Sequence, residues 1–274
     1  MRNEFDIVVR PQNVNTQYGQ EVWRYRELLG FLAWRNVVVR YKQTVVGLLW
    51  CVIRPIIMLL IFYAIFGILA KLPSVNETPY AIMVFSGLIP WLFFSSAIAE
   101  SSNSLIDEAS LISKVYFPRI VVPLASILSS YVDFLIMLTL MMPVMIVIGY
   151  VPPVHVLLVP FVAVLLLVPT VGIGLILSSL NATYRDFRHI LPFILQLGIY
   201  VSPVVYATEL VPASLKLIYY INPMAGIIDL FRWAIVDQEL YFPGIILSSI
   251  VSISCLILGA RYFVSMERTL ADKV

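Results

Sequence analysis

The sequence predicts an all-α polytopic membrane protein: six transmembrane helices, an N-terminal interfacial amphipathic helix, and short outward re-entrant helices before the last span. Three observations carry that reading. Of the 274 residues, 61% belong to the set AVILMFWYC and 12% are charged, with a mean hydropathy of +0.94; soluble domains hold roughly twice that share of charge. Six apolar runs approach the roughly 20 residues that a helix needs to cross a hydrocarbon core. Lys and Arg fall unevenly on the two sides those runs define.

In chain order, residues 1–18 are polar and lack the apolar core of a cleaved signal peptide, so the first span is expected to stay in the mature protein. From Glu21 to Val46 a helical wheel gathers Trp23, Trp34, Val38, Tyr41 and Val45 on one side, with Arg24, Arg35 and Lys42 along the flank. That is the pattern of a helix lying in the membrane interface. The spans are Leu48–Ala70, Tyr80–Ala99, Ile120–Gly149, Val154–Leu180, His189–Ala207 and Pro243–Phe263. Lipid offers no partner to free backbone groups, and these runs are continuous rather than alternating, so each reads as a helix and not a barrel strand. The third would be about 45 Å long if straight, and must tilt, kink at Pro143 or project from the bilayer. Pro160, Pro169, Gly172 and Gly174 point to a bend in the fourth.

Between Thr208 and Phe242 the chain is mostly apolar and long for a structureless loop. Two short helices are expected there, Pro212–Tyr220 and Met224–Val236, broken at Asn222-Pro223 where an X-Pro step disfavours helix. Each is too short to span, so each is read as dipping into the outer leaflet and returning. The chain then divides into an N-terminal segment, 1–47, a transmembrane domain, 48–263, and a tail, 264–274. Fourteen Lys and Arg share a side with the two termini, against Lys71, Lys216 and Arg232 opposite, which places both termini in the cytoplasm.

Several function classes are disfavoured. A net charge of +2 makes no case for nucleic acid. Cys51 and Cys255 sit in apolar runs and suggest no disulfide. No Gly-rich phosphate loop ending in Lys-Ser or Lys-Thr occurs, nor a dinucleotide fingerprint, and His155 and His189 stand alone. The chain is therefore expected to hold no cofactor, metal or catalytic group of its own. The absence of an internal repeat weighs against an inverted-repeat transporter, and a single evident intramembrane carboxylate, Asp133, against an ion-coupled one. A membrane enzyme would show convergent His, Asp or Arg at one face, and no such set is evident. Arg54 lies within the first span, where it either snorkels to headgroups or meets a partner; for Asp133 a packing hydrogen bond and a functional role both stand.

Four segments carry a resemblance: RYKQTVVGLLWCVIRP at 40–55, LISKVYFPR at 111–119, LNATYRDFRHILPF at 180–193, and VSPVVYATELVP with INPMAGIIDLFRWAIV across 201–236. In this order and spacing they resemble the permease subunit of ABC-2 type polysaccharide exporters, which move O-antigen, capsule or teichoic-acid chains. The resemblance implies a homodimer in the bacterial inner membrane, bound to two copies of a separate ATPase that holds ATP and Mg. A lipid-linked polysaccharide would pass between the two permeases. An exporter of a smaller lipid or drug-like amphiphile has the same architecture and is the alternative.

On that footing, Ser104–Lys114 is expected to form a short coupling helix on the ATPase, with Leu105, Ile106 and Ile112 as apolar anchors and Asp107, Glu108 and Lys114 as the rim. Arg54 would meet the lipid diphosphate with its planar fork of donors. A sliding polymer needs broad, weakly adhesive surfaces, which aromatic faces and amide or hydroxyl groups supply. Phe62, Tyr63 and Phe66, then Trp91, Phe94 and Ser95, then Phe193, Gln196 and Tyr200 recur at helical spacing in the first, second and fifth spans and are expected to line the path. Asn222, Pro223, Met224, Phe231 and Trp233 would form its outer gate.

Overall fold

The computed structural model describes residues 14–42, 47–72, 78–184 and 186–270, leaving aside the side chains of 14–17, 47, 48 and 268–270. Expectations placed on Val45, on 73–77, on Arg185 and on the two chain ends lie outside the described residues. Eleven α-helices are found among them: α1 (Val14–Arg24), α2 (Arg26–Lys42), α3 (Gly47–Phe62), α4 (Tyr80–Asp107), α5 (Ala109–Ile112), α6 (Val121–Ile148), α7 (Val159–Thr183), α8 (Phe187–Val201), α9 (Ala213–Tyr219), α10 (Pro223–Val236) and α11 (Phe242–Leu270). No strand occurs among the described residues.

α4 is the hub. From Ile82 to Phe94 every residue is buried, and the helix packs on α3, α6, α7, α8 and α10. An all-round apolar helix of this kind belongs in the centre of a bundle rather than on its lipid face. Aromatic rings join the layers: Phe93 meets Phe134 of α6 at 5.2 Å, and Phe134 meets Phe231 of α10 edge-on at 6.1 Å. α7 and α11 approach almost backbone to backbone, because Gly172 and Gly259 face each other; a Cβ on Gly172 would lie 2.5 Å from the Cys255 carbonyl carbon. α6 stops at Gly149, whose φ of 74° is the left-handed conformation that ends helices and favours glycine.

Several boundaries differ from the sequence expectations, each for a physical reason. Among the described residues, five stretches are long and apolar enough to cross a membrane: Leu49–Leu69, Tyr80–Asp107, Val121–Ile148, Val154–Thr183 and Phe242–Glu267. The run expected to cross as His189–Ala207 is instead the 15-residue α8, about 22 Å long. It stops because Pro203 follows: Ser202 is extended, with ψ of 152°, as a residue before proline prefers. The first span changes from α- to π-helix over Tyr63–Leu69, and the fourth begins with a 3₁₀ turn at Val154–Leu158. Ser104–Lys114 is no separate helix: α4 runs through to Asp107, Glu108 interrupts it, and α5 adds one turn. In the Thr208–Phe242 segment, α9 and α10 stand on either side of Asn222-Pro223. There the Asn222 side chain accepts from the Met224 N–H at 3.0 Å, with Pro223 at the first helical position. α11 passes Phe263 without a break.

The N-terminal helix also departs from the wheel. It is interrupted at Tyr25, and its inner face is not the Trp stripe. Leu32 and Val37 are buried, whereas Trp23 and Trp34 are 71% and 66% exposed. Leu32 enters a small core with Leu105, Phe117, Val121, Leu175 and Phe263, so α2 is docked on the bundle through four other segments of chain. Tyr41, placed on the same stripe as the tryptophans, turns inward instead and donates to Asp133.

The glycine contact makes a stability test. Gly172→Val should force α7 and α11 apart and cost about 1–3 kcal/mol, read as a lower midpoint in thermal unfolding in nanodiscs. Gly30→Ala, in α2 with open space around the missing Cβ, should be neutral or raise stability by up to about 1 kcal/mol.

Candidate functional site

A cleft of about 600 Å³ runs between α3, α4 and α8. Its chemistry changes along its length. Arg54 of α3, Glu100 of α4 and Pro192 of α8 lie towards the end where α4 meets α2. Ser95, Ser96 and Gln196 line the middle, and Phe62, Trp91 and Tyr200 line the end towards α10. From Arg54 to Phe62 the helix rises about 12 Å. Trp91 is held in place by Gly198 of α8, where a Cβ would come within 2.5 Å of the indole ring, and by Phe94 at 5.6 Å behind it. Such a surface offers one cation, exchangeable hydroxyl and amide groups, and aromatic faces, without enclosing a ligand on all sides.

Of the residues singled out in the sequence, Arg54, Phe62, Trp91, Ser95, Gln196 and Tyr200 share this cleft. The other aromatics do not. Phe94 is buried behind Trp91, Phe66 packs on Phe62 at 6.1 Å, and Phe193 is exposed on α8 outside the cleft. Tyr63 lines a second, more apolar cleft of about 750 Å³ between α3 and α6, together with Tyr80 and Pro143. The scatter follows from helix geometry: Phe62 and Tyr63 are neighbours in sequence and so point about 100° apart.

At the α2 end of the bundle, α2 is pinned by charges. Arg40 donates to Glu100 at 2.6 Å and to Asp133, and Ser130 donates to Glu100 at 2.8 Å. Tyr41 donates to Asp133 and lies 3.1 Å from the Cys51 thiol. Burial alone would lower the Arg40 pKa, but the two carboxylates outweigh it and the net shift is upward, so the guanidinium is held charged. Arg35 pairs with Glu108 at the α4–α5 junction. Apolar length alone ends the second span at Ala99 and leaves Glu100 out of it. The signal was present in AESSNSLID, whose Ser and apolar residues continue the helical period past Glu100.

The residues expected to dock a partner are divided by that same packing. Leu105 is 2% exposed and sits in the core under α2, so it cannot act as a surface anchor. Glu108 is engaged by Arg35. Ile106, Asp107 and Lys114 are exposed and Ile112 is half-buried. The loop beyond them presents Tyr116, 86% exposed, and is tied down where Glu267 of α11 accepts from the Arg119 backbone N–H at 2.7 Å and from Tyr18. Burial first, then the Glu267 carboxylate, raises the Tyr18 pKa.

At the α10 end, Asp229 and Arg232 are buried, although the sequence reading had counted Arg232 among loop cations. Arg232 donates to the carbonyls of Tyr206 at 2.8 Å and Val204 at 2.9 Å, and the Tyr80 hydroxyl donates to the carbonyl of Val205 between them at 2.6 Å. Asp229 accepts from Thr208 at 2.6 Å and from Tyr220, and Asn222 donates to Ser202 at 2.8 Å. Met224 and Phe231 are fully buried here, and Trp233 stacks on His155 at 4.7 Å, which in turn pairs with Asp237 at 3.1 Å. A charge at i and i+3 in an otherwise apolar helix was the available signal.

An O-antigen export system permease protein, RfbA, of Klebsiella pneumoniae is 32% identical over 231 residues, covering 81% of this chain and 88% of its own length. Its namesake from Myxococcus xanthus is 28% identical over 223 residues, 81% of this chain and 85% of its own. A polysialic acid transport protein, KpsM, of Escherichia coli is 24% identical over 202 residues, 73% and 78% of the two chains. The family described as ABC-2 type transporter matches residues 27–236, from the second residue of α2 to the last of α10. With that match across most of its length, the chain is a multi-pass membrane protein that belongs to the ABC-2 type transporter family.

Proposed function

We propose that this chain is the permease subunit of an ATP-driven exporter that moves a lipid-linked polysaccharide across the bacterial inner membrane. The observation that carries the reading is the α3–α4–α8 cleft, with Arg54 at one end and the faces of Phe62, Trp91 and Tyr200 at the other. A guanidinium is suited to a diphosphate head, and aromatic faces with Gln and Ser to a sugar chain that must slide without being held. Arg54 is exposed and has no hydrogen-bond or ion-pair partner among the described residues. Relatives named for O-antigen export and polysialic acid transport support the cargo class. Two copies would face each other across the cleft, with two copies of a separate ATPase supplying the hydrolysis.

In this reading α8 and the segment Ser202–Ala207 together make a sixth crossing, α1 and α2 lie in the cytoplasmic interface, and α9 and α10 cover the outer end as re-entrant pieces. Both termini are cytoplasmic, from the excess of Lys and Arg on their side. The ATPase would meet Ile106, Asp107, Ile112 and Lys114 together with the exposed Tyr116, not Leu105.

Topology is checked by replacing Cys51 and Cys255 and placing single cysteines. Lys216→Cys should react with an impermeant maleimide on intact cells, and Asp107→Cys only after the inner face is opened; the reverse pattern would overturn the orientation. For the cleft, Arg54→Gln should lower polymer export about tenfold with the ATPase still co-purifying, the scale set by losing a charge-assisted pair. Trp91→Ala with Tyr200→Ala should lower export by a similar factor, whereas Phe193→Ala, outside the cleft, should have less effect. Normal export by the Arg54 variant would remove the phosphate role. For docking, Ile112→Asp should reduce co-purification of the ATPase at unchanged thermal stability, while Leu105→Asp should destabilise the permease itself by several kcal/mol.

A further inference from the structure

Glu100 is the shared wall of two cavities. On one side it lines the cleft that holds Arg54; on the other it lines a pocket formed with Arg35, Asn36 and Arg40 of α2. A carboxylate in the same cleft as Arg54 is a liability for binding a phosphate anion, because it repels the ligand and competes for the guanidinium. Arg40 answers it from behind. Its guanidinium reaches Glu100 at 2.6 Å and Asp133 from α2, a helix that contributes no residue to the cleft lining. Ser130 donates to the same Glu100 oxygen at 2.8 Å, which ties that oxygen to α6 as well as to α2. These side chains are about one-third exposed or less, so salt screens their interaction only in part.

We propose that Arg40 sets the charge of the cleft: by engaging Glu100 it leaves Arg54 free to receive a phosphate-bearing head group, so that α2 belongs to the anion site without touching the ligand. The inference rests on the reading of Arg54 given above. Arg40 is a positioning residue, and the interfacial segment is more than an anchor. Lifting α2 would leave Glu100 without Arg40 at the cleft wall and turn the site from anion-accepting to anion-rejecting, which gives the membrane surface a way to act on ligand entry.

The test uses the full chain in phosphatidylcholine nanodiscs and two probes, inorganic pyrophosphate and geranylgeranyl diphosphate, to separate a head-group site from one that needs the lipid tail. Arg40→Gln should weaken binding of the probe that binds by about three- to tenfold, and more steeply at low salt. Arg40→Lys should stay near wild type, and Arg40→Gln with Glu100→Gln should restore the affinity, a rescue that loss of structure would not allow. Alkylation of Cys51 in a Cys255→Ser background, through its contact with Tyr41, reports whether α2 has stayed in place. Unchanged affinity in Arg40→Gln, or no rescue in the double variant, overturns the charge-setting role alone when Arg54→Gln has lost binding. Wild-type affinity in Arg54→Gln overturns both this proposal and the phosphate role of Arg54.

Discussion

A buried chain must find protein partners for every backbone group it frees, and in this structure that constraint falls on the residues after α8. The helix ends at Val201, because Pro203 cannot continue it, and three successive carbonyls are then left without helical partners. Arg232 takes the first and third, and Tyr80 takes the middle one. Irregular backbone is tolerated in a protein interior only when its polar groups are met in this way. A buried guanidinium costs several kcal/mol to desolvate, and removing it would leave two buried acceptors unmet as well. The break in α8, the burial of α10 and the position of the α4 N-terminus therefore stand or fall together.

The other end of the bundle solves a different problem with the same residue type. Arg40 is partly exposed and sits between two carboxylates from different helices, so it joins α2 to α4 and α6 without itself entering the core. At the α10 end, an arginine satisfies neutral carbonyls; at the α2 end, an arginine pairs with two acids, of which Glu100 lines the cleft. The cleft lies between these two anchors, and its charged and aromatic ends follow from them.

Much of the fold was legible in the sequence because apolar length and X-Pro steps act locally. Asn222-Pro223 marks the start of α10, and the runs beginning at Tyr80 and ending at Gly149 coincide with the start of α4 and the end of α6. What was not legible depends on which face a helix presents. The Trp23 and Trp34 stripe looks like the organised face of the N-terminal helix, yet Leu32 and Val37 are the buried residues, and the partners of Leu32 are as distant in sequence as Leu105, Leu175 and Phe263. Leu105 looked like a surface anchor for the same reason: nothing local reveals that α2 covers it. Glu100 escapes because it stands at the edge of an apolar run, where a span is cut, and Asp229 and Arg232 because the short helix that carries them reads as part of a segment outside the spans.

The boundaries of the family match sharpen the division of labour. Residues 27–236 begin within α2 and end with α10, so they include both arginine anchors and every helix that lines the cleft. α11 lies beyond that segment and lines no part of the cleft. It is held to α7 through the Gly172–Gly259 approach, a contact that depends on shape rather than on a particular functional group. Small residues at a close crossing need only remain small, whereas Arg40 and Arg232 need a fixed geometry of donors. The chemistry specific to this fold is thus concentrated between its two anchors, and the last helix contributes packing and, through Glu267, the attachment of the loop that carries Tyr116.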